Sequence, residues 1–195
     1  LKTQPPQEQP LLVLLRSAGD PASERVLVDP NRLDPAGGTE IDFYAPSLDA
    51  KYVAVSLSKG GSESGDLHVY EVATGKEIGA AIPRVNGGTA GGNMAWSPDG
   101  KGFYYTRYPR AGERPAADMD FFQQVWYHEL GTPPEKDSYV LGKDFPTIAE
   151  IKLAMDDASG RLLVTVQDGD SGRFAHFMVG PGGAAEQVTT FDDSV

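Results

Sequence analysis

Residues Asn93–Arg110 read NMAWSPDGKGFYYTRYPR, and the segment at their centre, SPDGKGFYY (Ser97–Tyr105), decides the fold. It is a polar turn, a small residue, a basic residue and then an apolar run. Asp and Gly supply the backbone such a tight turn needs. Two other segments read alike: SLDAKYVAV (Ser47–Val55) and DASGRLLV (Asp157–Val164). Lys51 to Lys101 is 50 residues and Lys101 to Arg161 is 60. A second motif follows each turn, a strand-like run ending in a glycine turn: LHVYEVATGKEI (Leu67–Ile78), VWYHELGTPPEK (Val125–Lys136) and AHFMVGPGGAAE (Ala175–Glu186). A further short strand is expected after each. The period is therefore roughly 50–60 residues with about four strands, which is the signature of a β-propeller blade. One such blade cannot cover its own apolar faces, so it stacks against the next.

The runs between the turns are short and rich in Val, Tyr, Phe and Thr, the residues that fit a pleated sheet. They are Leu11–Arg16, Arg25–Val28, Tyr52–Leu57, Leu67–Val72, Met94–Trp96, Gly102–Tyr108, Val125–Leu130, Tyr139–Leu141, Ile151–Met155, Arg161–Gln167, Phe174–Val179 and Gln187–Thr190. The best helical stretch, Ala116–Gln124, is short and polar. The expected class is all-β, a partial propeller of about three to four four-stranded blades. Residues 1–10 (LKTQPPQEQP) read as a connector or tail, and 11–195 as the propeller segment. Within it, 11–29 closes one blade, and further blades cover 41–83, 93–141 and 149–190. A two-sheet sandwich of irregular hairpins is the competing architecture.

Composition narrows the function. The 195 residues carry 17 Lys plus Arg against 28 Asp plus Glu, a formal charge of −11. An acidic chain repels phosphates, which disfavours non-specific nucleic-acid binding. No apolar run approaches the roughly 18 residues that span a bilayer. The cysteine count is zero, so no disulfide, thiolate nucleophile or Cys-ligated metal is available. Gly (23) and Pro (15) are abundant and act as punctuation between strands. No Met opens the chain and Leu1-Lys2-Thr3 is not a signal peptide, so a segment of a longer, soluble protein is expected, cytoplasmic or periplasmic.

Two long stretches carry a resemblance. ERVLVDPNRLDPAGGTEIDFYAPSLDAKYVAVSLSKGGSESGDLHVYEVATGKEI (Glu24–Ile78) resembles the early propeller blades of the prolyl oligopeptidase family. NMAWSPDGKGFYYTRYPR followed by QQVWYHELGTPPEKDSYVL (Gln123–Leu141) is similar to the next blade. The order and spacing of VLVDPN, AWSPDGKGFYYTRYP and YHELGT carry the likeness. The resemblance implies a seven-bladed propeller joined to an α/β-hydrolase domain with a Ser-Asp-His triad. It implies cleavage of short peptides after proline, with the propeller gating and lining the substrate cavity. The partners implied are an oligopeptide substrate and the hydrolase domain of the same parent protein, with neither nucleic acid nor membrane involved. A relative cleaving after basic residues has a similar propeller. A non-catalytic propeller that binds ligands or proteins is the alternative.

The chain itself is expected to hold no catalytic residue, cofactor or metal. Gly61-Ser62-Glu63-Ser64-Gly65 misses the nucleophile-elbow pattern at its centre. Gly169-Asp170-Ser171-Gly172 is followed by Arg173 and occupies the same between-strand position, so Ser171 reads as a turn residue. A triad also needs a histidine placed by a carboxylate. His68, His128 and His176 each lie on the strand before a glycine turn, a repeated place that points to sheet surface or blade packing. Asp168-Gly169-Asp170 lacks the further ligands of a calcium loop. The glycine-rich run Asn86–Gly92 lacks the Lys-Ser/Thr and following helix of a phosphate loop. It precedes an innermost strand. The resembled family places an aromatic substrate-pocket residue there, and Gly91 or a neighbour stands in its place. Gly91, Asn93, Glu150 and Ile151 are the expected cavity-lining residues, the latter two from the entry into the following blade. The longest loop, Pro109–Met119, is either a contact for a neighbouring domain or a mobile hairpin. Trp96, Trp126, Phe103, Tyr104 and Tyr105 are expected between blades.

Overall fold

The computed structural model describes residues 1–193; Ser194 and Val195, the end of the expected propeller segment, lie outside the described residues. The strands are β1 (Leu12–Leu14), β2 (Arg25–Val28), β3 (Thr39–Pro46), β4 (Tyr52–Lys59), β5 (Gly65–Glu71), β6 (Met94–Trp96), β7 (Gly102–Arg107), β8 (Gln124–Glu129), β9 (Ser138–Leu141), β10 (Ala149–Asp156), β11 (Arg161–Asp168), β12 (Phe174–Val179) and β13 (Ala185–Thr189). They form four antiparallel sheets, each in simple chain order: β1-β2, β3-β4-β5, β6-β7-β8-β9 and β10-β11-β12-β13. This is a partial β-propeller.

The repeated turn puts a left-handed residue before its basic residue in all three sheets, and in the β3–β4 and β6–β7 turns an aspartate ties it in the same way. In the β6–β7 turn, Asp99 accepts hydrogen bonds from the Ser97 hydroxyl and from the Lys101 N–H at 3.0 Å, and Gly100 has φ +68°. In the β3–β4 turn, Asp49 accepts from Ser47 Oγ at 2.8 Å and from the Lys51 N–H at 3.1 Å. The Lys51 ammonium at 2.9 Å, then the Lys51 N–H and the Ser47 hydroxyl, hold the Asp49 carboxyl down at a pKa of about 2. Ala50 fills the left-handed position there, at φ +57°. In the β10–β11 turn Gly160 fills it, at φ +66°.

Alternation along the strands buries one face of each sheet against its neighbour. Val53, Val55 and Leu57 pack with Leu12 and Val28 between the first two sheets. Leu67, Val69, Ile82, Trp96, Phe103 and Tyr105 fill the next gap. Tyr104, Val125, Ile151, Leu153, Val164 and Val166 fill the third. Trp126 is half-buried against the second gap, under the Arg107 guanidinium at 4.0 Å. The five expected aromatics therefore do lie between sheets.

Innermost strands are also stitched to one another by side chains. Trp96 of β6 donates from Nε1 to the Ala45 carbonyl of β3 at 2.9 Å. Asn93, just before β6, accepts at Oδ1 from the Leu153 N–H of β10 at 3.0 Å. β10 is the edge strand of its sheet, and this bond occupies a backbone donor that no strand pairs.

Two features differ from the sequence expectation. β3 was not among the expected runs: Glu40 and Asp42 interrupt it, and a register irregularity between Ile41 and Phe43 breaks the alternation. The fourth strand of the second sheet is reduced to two bridges, Tyr70 with Glu77 and Leu67 with Ile82, because Gly79 (φ +73°) turns the chain between them. Residues 1–10 are tied to the chain that follows them. Lys2 bridges Leu11, and Gln9 exchanges hydrogen bonds with Asn31 at 2.9 and 3.1 Å. Asn31 lies in a single helical turn, α1 (Pro30–Leu33), capped by Asp29.

Candidate functional site

The glycine-rich run ahead of β6 is a folded loop. The Tyr108 hydroxyl accepts the Ala90 N–H at 2.8 Å, and the Gly91 N–H donates to the Gly87 carbonyl at 2.8 Å. Gln123, buried to 1 % exposure, donates from Nε2 to the Gly91 carbonyl at 2.8 Å. Burial pushes the Tyr108 phenol up to about 12, so it stays neutral and keeps its place. Tyr108 and Gln123 are thus the anchors of this loop, and neither stood out in the sequence. The available signal was position: each sits at an end of the long β7–β8 connection.

Gly91 has φ +65°, and a Cβ there would meet only Asn86 Oδ1, at 3.9 Å. An aromatic residue there would pay backbone strain for a left-handed conformation. Gly91 lines a shallow depression of about 400 Å³ with Glu40, Asp42, Glu63 and Asn86. The Asp42 carboxylate is held by two buried hydroxyls, Ser56 and Ser58, each at 2.6 Å.

The other expected residues separate into different surroundings. Asn93 spends its side-chain oxygen on Leu153, as described. Ile151 is 4 % exposed and belongs to the core between the last two sheets. Glu150 points to the opposite face of β10 from Ile151 and is half-buried. The structure thus joins Asn93 to β10, places Gly91 against the preceding sheet, and brings Glu150 near enough to Tyr108, the anchor of the Gly91 loop, to help raise its phenol.

None of the candidate nucleophiles meets a histidine among the described residues. Ser171 Oγ accepts the Arg173 N–H at 3.1 Å, and Ser62 Oγ accepts the Ser64 N–H at 3.3 Å, both within turns. The three histidines repeat one structural role. Each uses Nδ1 to bind the outermost segment of its own sheet: His68 to Glu77 at 2.6 Å, His128 to Asp137 at 2.7 Å and His176 to Thr189 at 2.8 Å. Asp137 also accepts from the Tyr105 hydroxyl, whose pKa is driven far up by burial. That network is sealed inside the sheet. Asp168 of the acidic turn is paired with Arg173. Among the described residues, no three His, Asp or Glu side chains come together as a metal cluster.

The Pro109–Met119 loop is fastened at several points. Arg107, 3 % exposed, holds Glu113 through both guanidinium nitrogens at 2.7 and 3.0 Å. Arg110 donates to the Pro134 carbonyl at 3.2 Å, and Arg84 pairs with Asp120 at 2.9 Å. The arginine holds the Glu113 carboxyl below its usual range.

Comparison with known proteins supplies the context for this edge of the sheets. Residues 2–189 match the family described as prolyl oligopeptidase, N-terminal β-propeller domain. A prolyl oligopeptidase A from Galerina marginata is 29% identical over 137 residues, 64% of this chain and 19% of the relative. A prolyl endopeptidase from Elizabethkingia meningoseptica is 28% identical over 142 residues, 72% of this chain and 19% of the relative. A solved prolyl endopeptidase superposes with TM-score 0.69 at 26% identity, covering 86% of this chain and 24% of the other. A prolyl oligopeptidase B from Galerina marginata, solved with a 35mer substrate, gives 0.76 at 19% identity, with 94% and 28% covered; at that identity the likeness is one of fold. The chain spans about a fifth of the length of the curated relatives it matches.

Proposed function

The chain belongs to the prolyl oligopeptidase N-terminal β-propeller family, and from that premise we propose that it is part of the propeller of a serine endopeptidase that hydrolyses short peptides after proline. In this reading the remaining blades and an α/β-hydrolase domain with the Ser-Asp-His triad belong to the same parent protein. The propeller gates and lines the substrate cavity. The blades are 41–83, 93–141 and 149–190, with 11–29 closing the one before. The peptide substrate and the hydrolase domain are the partners. Neither nucleic acid nor membrane is a partner in this reading; no helix of the described residues is long and apolar enough to cross a membrane.

The observation that carries this reading is the family match across residues 2–189, laid over sheets that follow one another in chain order. The cavity wall is assigned to the loop ahead of β6 and the start of β10. Gly91 and Glu150 face outward there, and Asn93 and Ile151 hold the two inner strands in place behind them. Without an aromatic at Gly91 this stretch of wall is roomier.

A fluorogenic Gly-Pro peptide tests the proposal on two samples, the purified chain and the full-length product of its gene. The chain alone is expected to be inactive and the full-length protein active. The full-length protein is also expected to cleave the short peptide but not the same Gly-Pro site inside a folded protein. Hydrolysis by a contaminant-free sample of the chain, or an inactive full-length protein, would overturn it.

A further inference from the structure

The glycine-rich run ahead of β6 closes on itself. A Cβ on Gly92 would run into the Val85 carbonyl oxygen, so glycine is what lets the two ends meet. At the entry, the Val85 and Asn86 N–H groups both donate to the Gly65 carbonyl, at 2.9 and 3.0 Å. At the exit the hold is a side chain, Gln123 on the Gly91 carbonyl. Gln123 follows Phe122, which has φ +58°. A bulky residue in the left-handed region persists only where its surroundings over-determine it. On one side the Phe122 N–H donates to the Thr147 carbonyl at 2.9 Å. On the other side the chain is held by Arg84.

The Arg84 guanidinium donates from Nη2 to the Met119 carbonyl and to Asp120 Oδ1, the latter at 2.9 Å. Met119 and Asp120 lie shortly before Gln123 in the chain. The Arg84 backbone is itself left-handed, at φ +61°. Its N–H is held by Asp66 Oδ1 at 3.0 Å, and its carbonyl accepts the Tyr108 N–H at 2.9 Å. The main chain of Arg84 is thus fixed to the second and third sheets, while its side chain reaches the segment that carries Gln123. Asp120 is 76 % exposed, so water screens the ion pair and its share is small. The charge-assisted bond to the part-buried Met119 carbonyl is the stronger hold.

We propose that Arg84 is a positioning residue for the glycine-rich wall: by gripping Met119 and Asp120 it presets the 119–123 segment, and that segment aims Gln123 at Gly91. Arg84 does not line the depression beside Gly91, whereas Gly87, Gly88 and Gly91 do, so it acts on the wall through Gln123. A side chain held at both ends by packing and hydrogen bonds keeps a loop in one shape, and a loop rich in glycine has little else to do so. The consequence for peptide binding rests on the peptidase reading. The link from Arg84 to Gly91 stands without it.

Amide hydrogen exchange on the full 195-residue chain reads the link. Arg84→Met keeps the aliphatic stem and the same backbone strain and removes the donors. Exchange at Ala90 and Gly91 should quicken at least about tenfold, the equilibrium factor of one lost charge-assisted hydrogen bond, while β4 stays unchanged. Gln123→Ala should quicken the same amides, and the double variant should match it, because the two residues act in series. Arg84→Lys keeps a donor for the Met119 carbonyl and should recover part of the protection. In the full-length protein, Arg84→Met should raise KM for the Gly-Pro peptide several-fold with kcat unchanged, the mark of lost uniform binding, and Arg84→Lys should restore part of it. Unchanged exchange at Ala90 and Gly91, accelerations that multiply in the double variant, or an unmoved KM in an active full-length protein would overturn the proposal. An inactive full-length protein would instead sink the peptidase reading, and exchange alone would then decide the role of Arg84.

Discussion

Asn93→Ala isolates the bond that joins two innermost strands. The substitution removes the acceptor at 3.0 Å from the Leu153 N–H and leaves the Asn93 backbone pair with Thr106 in place. Leu153 is 9 % exposed, so its N–H is poorly placed to find water. A buried donor left without a partner costs about 1–3 kcal/mol. Asn93 itself is half-buried, which lets some solvent in, so the expected loss is about 1–2 kcal/mol. Urea slopes of about 1–3 kcal/mol/M turn that into a midpoint lowered by about 0.5–1 M. Thermal unfolding should fall by about 3–6 °C for a chain of this size. Asn93→Asp retains an acceptor and should stay within about 0.5 kcal/mol of the parent, the range of a surface change. Equal losses in the two variants, or an alanine variant indistinguishable from the parent, would show that the carboxamide is not the link.

Three more outcomes follow from the geometry. Ala50→Gly relieves a left-handed alanine that costs about 1–2 kcal/mol, against about 0.5–1 kcal/mol of extra chain entropy; chemical denaturation should show a gain of about 0.5–1 kcal/mol. His128→Ala strips the 1 % exposed Asp137 side chain of a partner and should cost about 1–3 kcal/mol, whereas His176→Ala, facing an exposed strand, should cost less than 1 kcal/mol by the same measurement. Glu113 has a depressed carboxyl, so its pairing with Arg107 is intact above the ordinary glutamate value of 4.5 and is lost as pH falls below it. Limited proteolysis of the Pro109–Met119 loop should accelerate over that acidic range, and Glu113→Gln should show the fast rate already at neutral pH.

The blade architecture was legible because it is written in turns. Ser47-Leu48-Asp49-Ala50 and Ser97-Pro98-Asp99-Gly100 encode their own hydrogen bonds, and a turn with its own bonds reads locally. β3 escaped notice because its alternation is broken at Asp42, whose carboxylate is satisfied by Ser56 and Ser58 on another strand. The site was harder for the same reason. Asn93 and Ile151 were placed at the start of inner strands, but whether a side chain there meets a cavity or the next sheet is set by a neighbour about 60 residues away. The histidine pattern was visible as a repeat, though the partner that each ring binds lies on a different strand.

Stacking of sheets in chain order also sets how the molecule comes apart. Each sheet touches only its sequence neighbours, so stability is close to a sum of sheet and interface contributions. The β3–β5 and β6–β9 sheets are covered on both faces, whereas β1-β2 and the β10–β13 sheet each have one covered face. Amide exchange should therefore be slowest in β4 and β7, whose protons wait for the whole stack to open. It should quicken toward β1 and β13, so that opening is graded from the ends inward.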